Sequence, residues 1–87
     1  MQIIIDEHAK VRAEERGVSV DEILDILNSA IPTVARNNRS AKEKVYIYNK
    51  EWNGKVYTHK QVKVIYIVES STIIVITVVV KYGTFKI

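Results

Sequence analysis

The 87-residue chain has no cysteine, one proline, three glycines and two histidines. Without cysteine there can be neither a disulfide nor a thiolate metal site. His8 and His59 are too few to make a zinc site, so no metal or other cofactor is expected. Secreted domains of this size usually need covalent or metal staples, and lacking them points to a cytoplasmic home. The opening string MQIIIDEH has neither the basic region nor the apolar stretch of a signal peptide. The run TIIVITVVV falls far short of the roughly 18 residues that span a membrane. No glycine-rich phosphate loop is present, and the Ser70-Ser71 pair lacks any triad signature. Residues 1–87 suffice for a single domain with one core, burying roughly 60–65% of the unfolded surface.

Charge is abundant but unevenly placed. Residues 1–30 carry three basic and seven acidic side chains, whereas residues 31–87 carry ten basic and three acidic ones. An acidic front and a basic rear suggest one strongly positive side, of a kind that attracts nucleic acid or an acidic protein. A solvated, lysine-rich sheet surface would give the same tally.

The local patterns predict a small α+β domain, with two N-terminal helices packed on a four- to five-stranded, mainly antiparallel sheet. QIII reads as a short strand. Asp6 is placed to cap a first helix, and Gly17 to end it in the left-handed conformation. A second helix follows in VSVDEILDILNSAIP. Ser19 and Glu22 form a capping box there, with Val18 and Ile23 as the hydrophobic staple. Val20, Ile23, Leu24, Ile26, Leu27, Ala30 and Ile31 fall on its apolar arc, and Pro32 stops it. Beyond Pro32, EKVYIYNK reads as a strand. Asn53-Gly54 turns it into the long segment KVYTHKQVKVIYIV, with a bulge expected near THKQ. ESST makes the next turn. IIVITVVVKY, apolar on both faces, is expected in the sheet centre with both sides covered.

The first helix has an unusual stripe. His8, Arg12 and Arg16 stand at four-residue intervals beside Ala9 and Ala13, which are small enough to let the helix lie close to the sheet. Like charges at that spacing repel by a few tenths of a kcal/mol. Cations converging at a helix–sheet junction suit an anion such as phosphate. A plain structural alternative pairs Arg12 with Glu7 or Glu15, ties Arg16 to carbonyls at the helix end and leaves His8 on the surface.

The string His8-Ala9-x-x-Arg12-x-x-x-Arg16-Gly17-Val18-Ser19, followed by an acidic-apolar helix and later by Ile76-Thr77-Val78, resembles the small bacterial family called domain of unknown function 4258. The resemblance covers most of the chain and is most specific at the N-terminal motif. Two departures are Ala13, where the family commonly has a larger apolar residue, and VVKY after Thr77, where an aromatic often comes sooner, which bears on Tyr82. In size and layout that family is similar to the RelE/BrnT-like toxins, several of which cut RNA. The likeness implies a metal-independent endoribonuclease, commonly restrained by an acidic antitoxin-like protein. The ribose 2′-OH would attack phosphorus, with His8 as general base or acid. Arg12 and Arg16 would hold the phosphate, and Thr77 would add a hydroxyl if it faced the helices. Arg36, Arg39, Lys42 and Lys44, with Tyr82, would contact the rest of the RNA. Tyr46, Tyr48, Tyr57 and Trp52 could stack bases, although strand tyrosines more often pack. Two other readings stand beside this one: a non-catalytic interaction module, forming a homodimer through the apolar last strand and exposed tyrosines, and a nucleic-acid-binding module without turnover.

Overall fold

The computed structural model describes residues 2–85. Two helices lie on one face of a five-stranded sheet of order β1-β5-β4-β3-β2, which is antiparallel except for the parallel β1–β5 pair. The strands are β1 (Gln2–Ile5), β2 (Thr33–Val34), β3 (Ser40–Trp52), β4 (Lys55–Glu69) and β5 (Thr72–Gly83); the helices are α1 (Glu7–Arg16) and α2 (Val20–Ser29). The expected α+β class and layout are present.

The turn chemistry follows from the residues. Asn53 and Gly54 both take positive φ, 50° and 84°, as a two-residue hairpin turn with right-handed strand twist requires. Ser70 and Ser71 do the same without a glycine, at 49° and 63°. The bulge expected near THKQ is present, but its extra residue is on the facing strand: Tyr48 and Asn49 of β3 oppose Thr58 alone, and Asn49 is left-handed at φ 49°. A second bulge inserts Ile76 into β5.

The core forms where the helices meet the sheet. Ala9 and Ala13 of α1 and Ile23, Ile26 and Leu27 of α2 pack on Val62, Val64, Tyr66, Val75 and Val78. Ser19 and Glu22 form the capping box, and Val18 and Ile23 are both buried beside it. Asp6 occupies the α1 N-cap without a side-chain cap bond. Two features differ from the sequence reading. Helix α2 ends at Ser29 because Ala30 is already extended (φ −88°, ψ 157°). Ile31, assigned to the apolar arc, is therefore 84% exposed ahead of Pro32, and Val20 is half exposed at the other end. The second difference concerns β5. It is an internal strand, but both helices cover the same face, so its outward row is not covered by either.

Candidate functional site

Helix α1 is fixed at its C-terminal end by contacts that use one residue of the expected stripe, Arg16. Gly17 is left-handed at φ 76°, and the Gly17 and Val18 N–H groups close the helix on the carbonyls of Glu14 and Ala13. A Cβ at Gly17 would sit 2.7 Å from the Tyr82 hydroxyl and 2.8 Å from Trp52 Cζ3, so glycine is required twice over, by conformation and by space. The Tyr82 hydroxyl donates to the Arg16 carbonyl at 2.6 Å, and the Arg16 guanidinium donates to the Val78 carbonyl on β5. Burial, then the neighbouring Tyr48 and Glu22, push the Tyr82 phenol up to about 12. Arg16 thus binds a carbonyl, as the structural alternative expects, though the carbonyl belongs to the strand and not to the helix end.

The remaining stripe is more open. Arg12 Nε donates to the exposed His8 Nε2 at a long 3.5 Å, and Arg12 also lies 3.7 Å from Glu15. Exposed pairs of this kind contribute little to stability. Thr77 is not with them. It pairs with Ile65, whereas Val75 and Val78 beside it face the helices, so its hydroxyl lies on the opposite side of the sheet. A general base, a phosphate clamp and a hydroxyl must reach one phosphate to cooperate. His8 and Arg12 share a surface patch, Arg16 is engaged with β5, and Thr77 is across the sheet.

The residues expected to contact nucleic acid divide into two sets. Lys42 donates to the Leu27 carbonyl at 2.6 Å, at the electronegative end of α2. Lys44 binds Asp25 at 2.8 Å, and the Tyr46 hydroxyl donates to the same carboxylate. Hydrogen bonds from Lys44 and then Tyr46 hold the Asp25 carboxyl below its ordinary value. Lys42 and Lys44 of the basic rear are therefore taken up by α2 of the same chain, and Lys44 neutralises a carboxylate of its acidic front. Tyr82 belongs to the structural set as well: its ring stacks on Trp52 at 4.8 Å, with Tyr48 and Tyr57 tilted against it. Arg36 and Arg39 stay outside this network and line a surface cleft with Lys63.

Lys60 is a residue that the sequence reading missed. It is only 6% exposed, and its ammonium donates to the Gly17 carbonyl at 2.9 Å and to both Glu22 oxygens, at 2.9 and 3.0 Å. Burial acts to raise the Glu22 carboxyl, but the Ser19 N–H, the Lys60 hydrogen bond and the Lys60 charge outweigh it and hold it below its usual value. The signal was the period of two: Lys60 is in phase with Val62, Val64 and Tyr66, all on the helix face.

The other face of the sheet is the larger feature. Register places Ile4, Ile74, Val79, Ile65 and Ile47 on it, and Ile4, Val79 and Ile47 are 46%, 36% and 70% exposed. Lys63, Lys81, Gln61 and Glu43 stand among them around a shallow cleft of about 150 Å³, floored by Ile65 and Val79. A second cleft of about 480 Å³ adjoins it, sharing Lys63 and Ile65 and adding Arg36 and Arg39. No aromatic ring of β3, β4 or β5 is paired into this surface: Tyr46, Tyr66 and Tyr82 sit in register with the helix-facing rows, and Tyr48, Trp52 and Tyr57 gather around Tyr82. Among the described residues no helix is long and apolar enough to cross a membrane.

No curated protein and no solved structure matches the chain. The profile of one family, described as Domain of unknown function (DUF4258), matches residues 5–80, from the end of β1 to within β5, and the chain belongs to that family.

Proposed function

We propose that the domain is a non-catalytic binding module, and that its working surface is the open face of the sheet. The observation that carries this reading is the aliphatic floor of Ile65, Val79, Ile74 and Ile4, interrupted only by Thr77, left uncovered by both helices and edged by Lys63 and Lys81 with a single carboxylate, Glu43, opposite Lys63. Apolar surface without a covering layer favours association, and its cationic edge selects an acidic protein partner. An aliphatic floor without aromatic rings offers bases nothing to stack on, so RNA fits it less well. Homodimerisation through this face would juxtapose Lys63 and Lys81 with few carboxylates, so a monomer is expected in isolation.

The RelE/BrnT-like ribonuclease reading needs His8, Arg12, Arg16 and Thr77 at one phosphate. The distribution of these residues over two sides of the sheet weighs against it. Two assays separate the readings. Purified domain is incubated with single-stranded and hairpin RNA beside His8→Ala and Arg12→Ala; intact RNA is expected throughout, and cleavage abolished by either substitution would establish the nuclease. In the second assay, fluorescence anisotropy compares a peptide of alternating glutamate and leucine with an oligouridylate. Saturable peptide binding that is lost in Val79→Thr/Lys81→Gln is expected; tighter binding of the oligouridylate would overturn the proposal.

A further inference from the structure

We infer that the cleft between the Arg36–Arg39 turn and β4 is a binding site for a phosphate monoester or free phosphate dianion. It is an open surface cleft of about 480 Å³, lined by Val34, Ala35, Arg36, Asn37, Arg39, Lys63 and Ile65, and its volume is within the range of small-ligand sites. Three cations and no carboxylate line it. Lys42, Lys44 and Lys60 are each matched to an internal oxygen, whereas Arg36, Arg39 and Lys63 make no ion pair among the described residues. Three like charges around one cavity repel, and a dianion is the ligand that removes the repulsion while accepting from two planar guanidinium groups and an ammonium.

The turn is held ready for this. The Ala35 N–H donates to the Arg39 carbonyl at 2.8 Å and the Arg39 N–H to the Arg36 carbonyl at 3.3 Å, so both arginines spring from a closed loop. Between them Asn37 and Asn38 are both left-handed, at φ 60° and 58°. Asparagine tolerates that conformation better than most side chains do, so the turn between the two arginines forms at low cost. Val34 and Ile65 supply an apolar wall against which the carbon side of an ester can rest. This inference stands whether or not an acidic protein docks on the neighbouring floor, because Val79 and Lys81 do not line the cleft.

The test is a titration of the ¹⁵N-labelled domain with sodium phosphate at neutral pH, followed by amide shifts, against sodium chloride of equal ionic strength. Saturating shifts confined to residues 35–39 and the vicinity of Lys63 are expected with phosphate alone. Arg36→Gln/Arg39→Gln should weaken them at least about tenfold, since each lost charge-assisted hydrogen bond is worth a factor of that order. Circular dichroism establishes that the variant is folded. Equal shifts in chloride, equal shifts at Lys50 and Lys55 on the hairpin, or an unchanged double variant would each overturn the site. Parallel titrations with a phosphoserine peptide and with uridine monophosphate identify the source: an ester that binds more tightly than free phosphate names it, and equal affinity assigns the site to the free ion. Val79→Thr/Lys81→Gln should retain phosphate binding even if it abolishes peptide binding, so the two proposals fail separately.

Discussion

Lys60→Met is the substitution that most strictly tests how the helices are held to the sheet. Methionine keeps the aliphatic stem but leaves the Gly17 carbonyl and the Glu22 carboxylate without their shared donor. Removing one partner of a fully buried ion pair costs about 3–5 kcal/mol. Glu22 is 22% exposed on its side chain and keeps its bonds to Ser19, so water and the capping box recover part of this. The expected loss is about 2–3 kcal/mol, from a total stability on the order of 5 kcal/mol for so small a domain. Urea unfolding followed by Trp52 fluorescence should show the midpoint falling by roughly 2 M at a slope near 1 kcal/mol/M. Glu22→Gln keeps the capping geometry, and the double variant should cost less than the two single changes together. The pH dependence adds a sign. Because the folded Glu22 carboxyl lies below its unfolded value, its contribution is complete above that unfolded value and is lost as pH falls through the folded one. In Lys60→Met burial is less opposed, so this acid-side loss should shrink. A midpoint within about 0.5 M of wild type, or strictly additive single variants, would show that the pair does not hold the junction.

Other outcomes follow from the same contacts. Gly17→Ala should destabilise by about 2 kcal/mol or more, through its left-handed φ and the collision with Tyr82 and Trp52, read as a fall in Tm. Leu27→Ala, at a buried position of α2, should cost roughly 2–5 kcal/mol in the same measurement. Tyr82→Phe removes the hydroxyl bound to the Arg16 carbonyl and should cost about 1 kcal/mol with the ring stack intact. His8→Ala should leave Tm unchanged, since His8 is exposed and its one contact is long.

Most of the local structure that a single short-range rule decides was legible, although Asp6 makes no side-chain cap bond and α2 stops before Ile31. Ser19 and Glu22 announced their cap, Gly17 its left-handed end and Asn53-Gly54 its hairpin, because each depends on residues within one turn. Tertiary placement was less so. The apolar content of β5 suggested covering layers on both sides, but composition cannot say whether a chain has enough helices for two faces, and here both pack on one. The charge asymmetry was real, yet it concealed an internal match. Lys42, Lys44 and Lys60 look like solvent cations in sequence and meet Leu27, Asp25 and Glu22 only through the register of β3 and β4 with α2. For the stripe on α1, four-residue spacing correctly placed His8 near Arg12. It could not reveal that Arg16 reaches Val78, or that a bulge at Ile76 sets Thr77 on the far side of the sheet.

The central claim, that the open sheet face and not the α1 stripe meets a partner, is tested most directly by lysine footprinting. The domain is acetylated at limiting reagent with and without a saturating peptide of alternating glutamate and leucine, and modification is read at each lysine by mass spectrometry. Protection of Lys63 and Lys81 is expected, with Lys50 and Lys55 on the hairpin and Lys10 on α1 labelled as before. Protection of Lys10 without change at Lys63 and Lys81 would contradict it and return attention to the helix that carries His8 and Arg12.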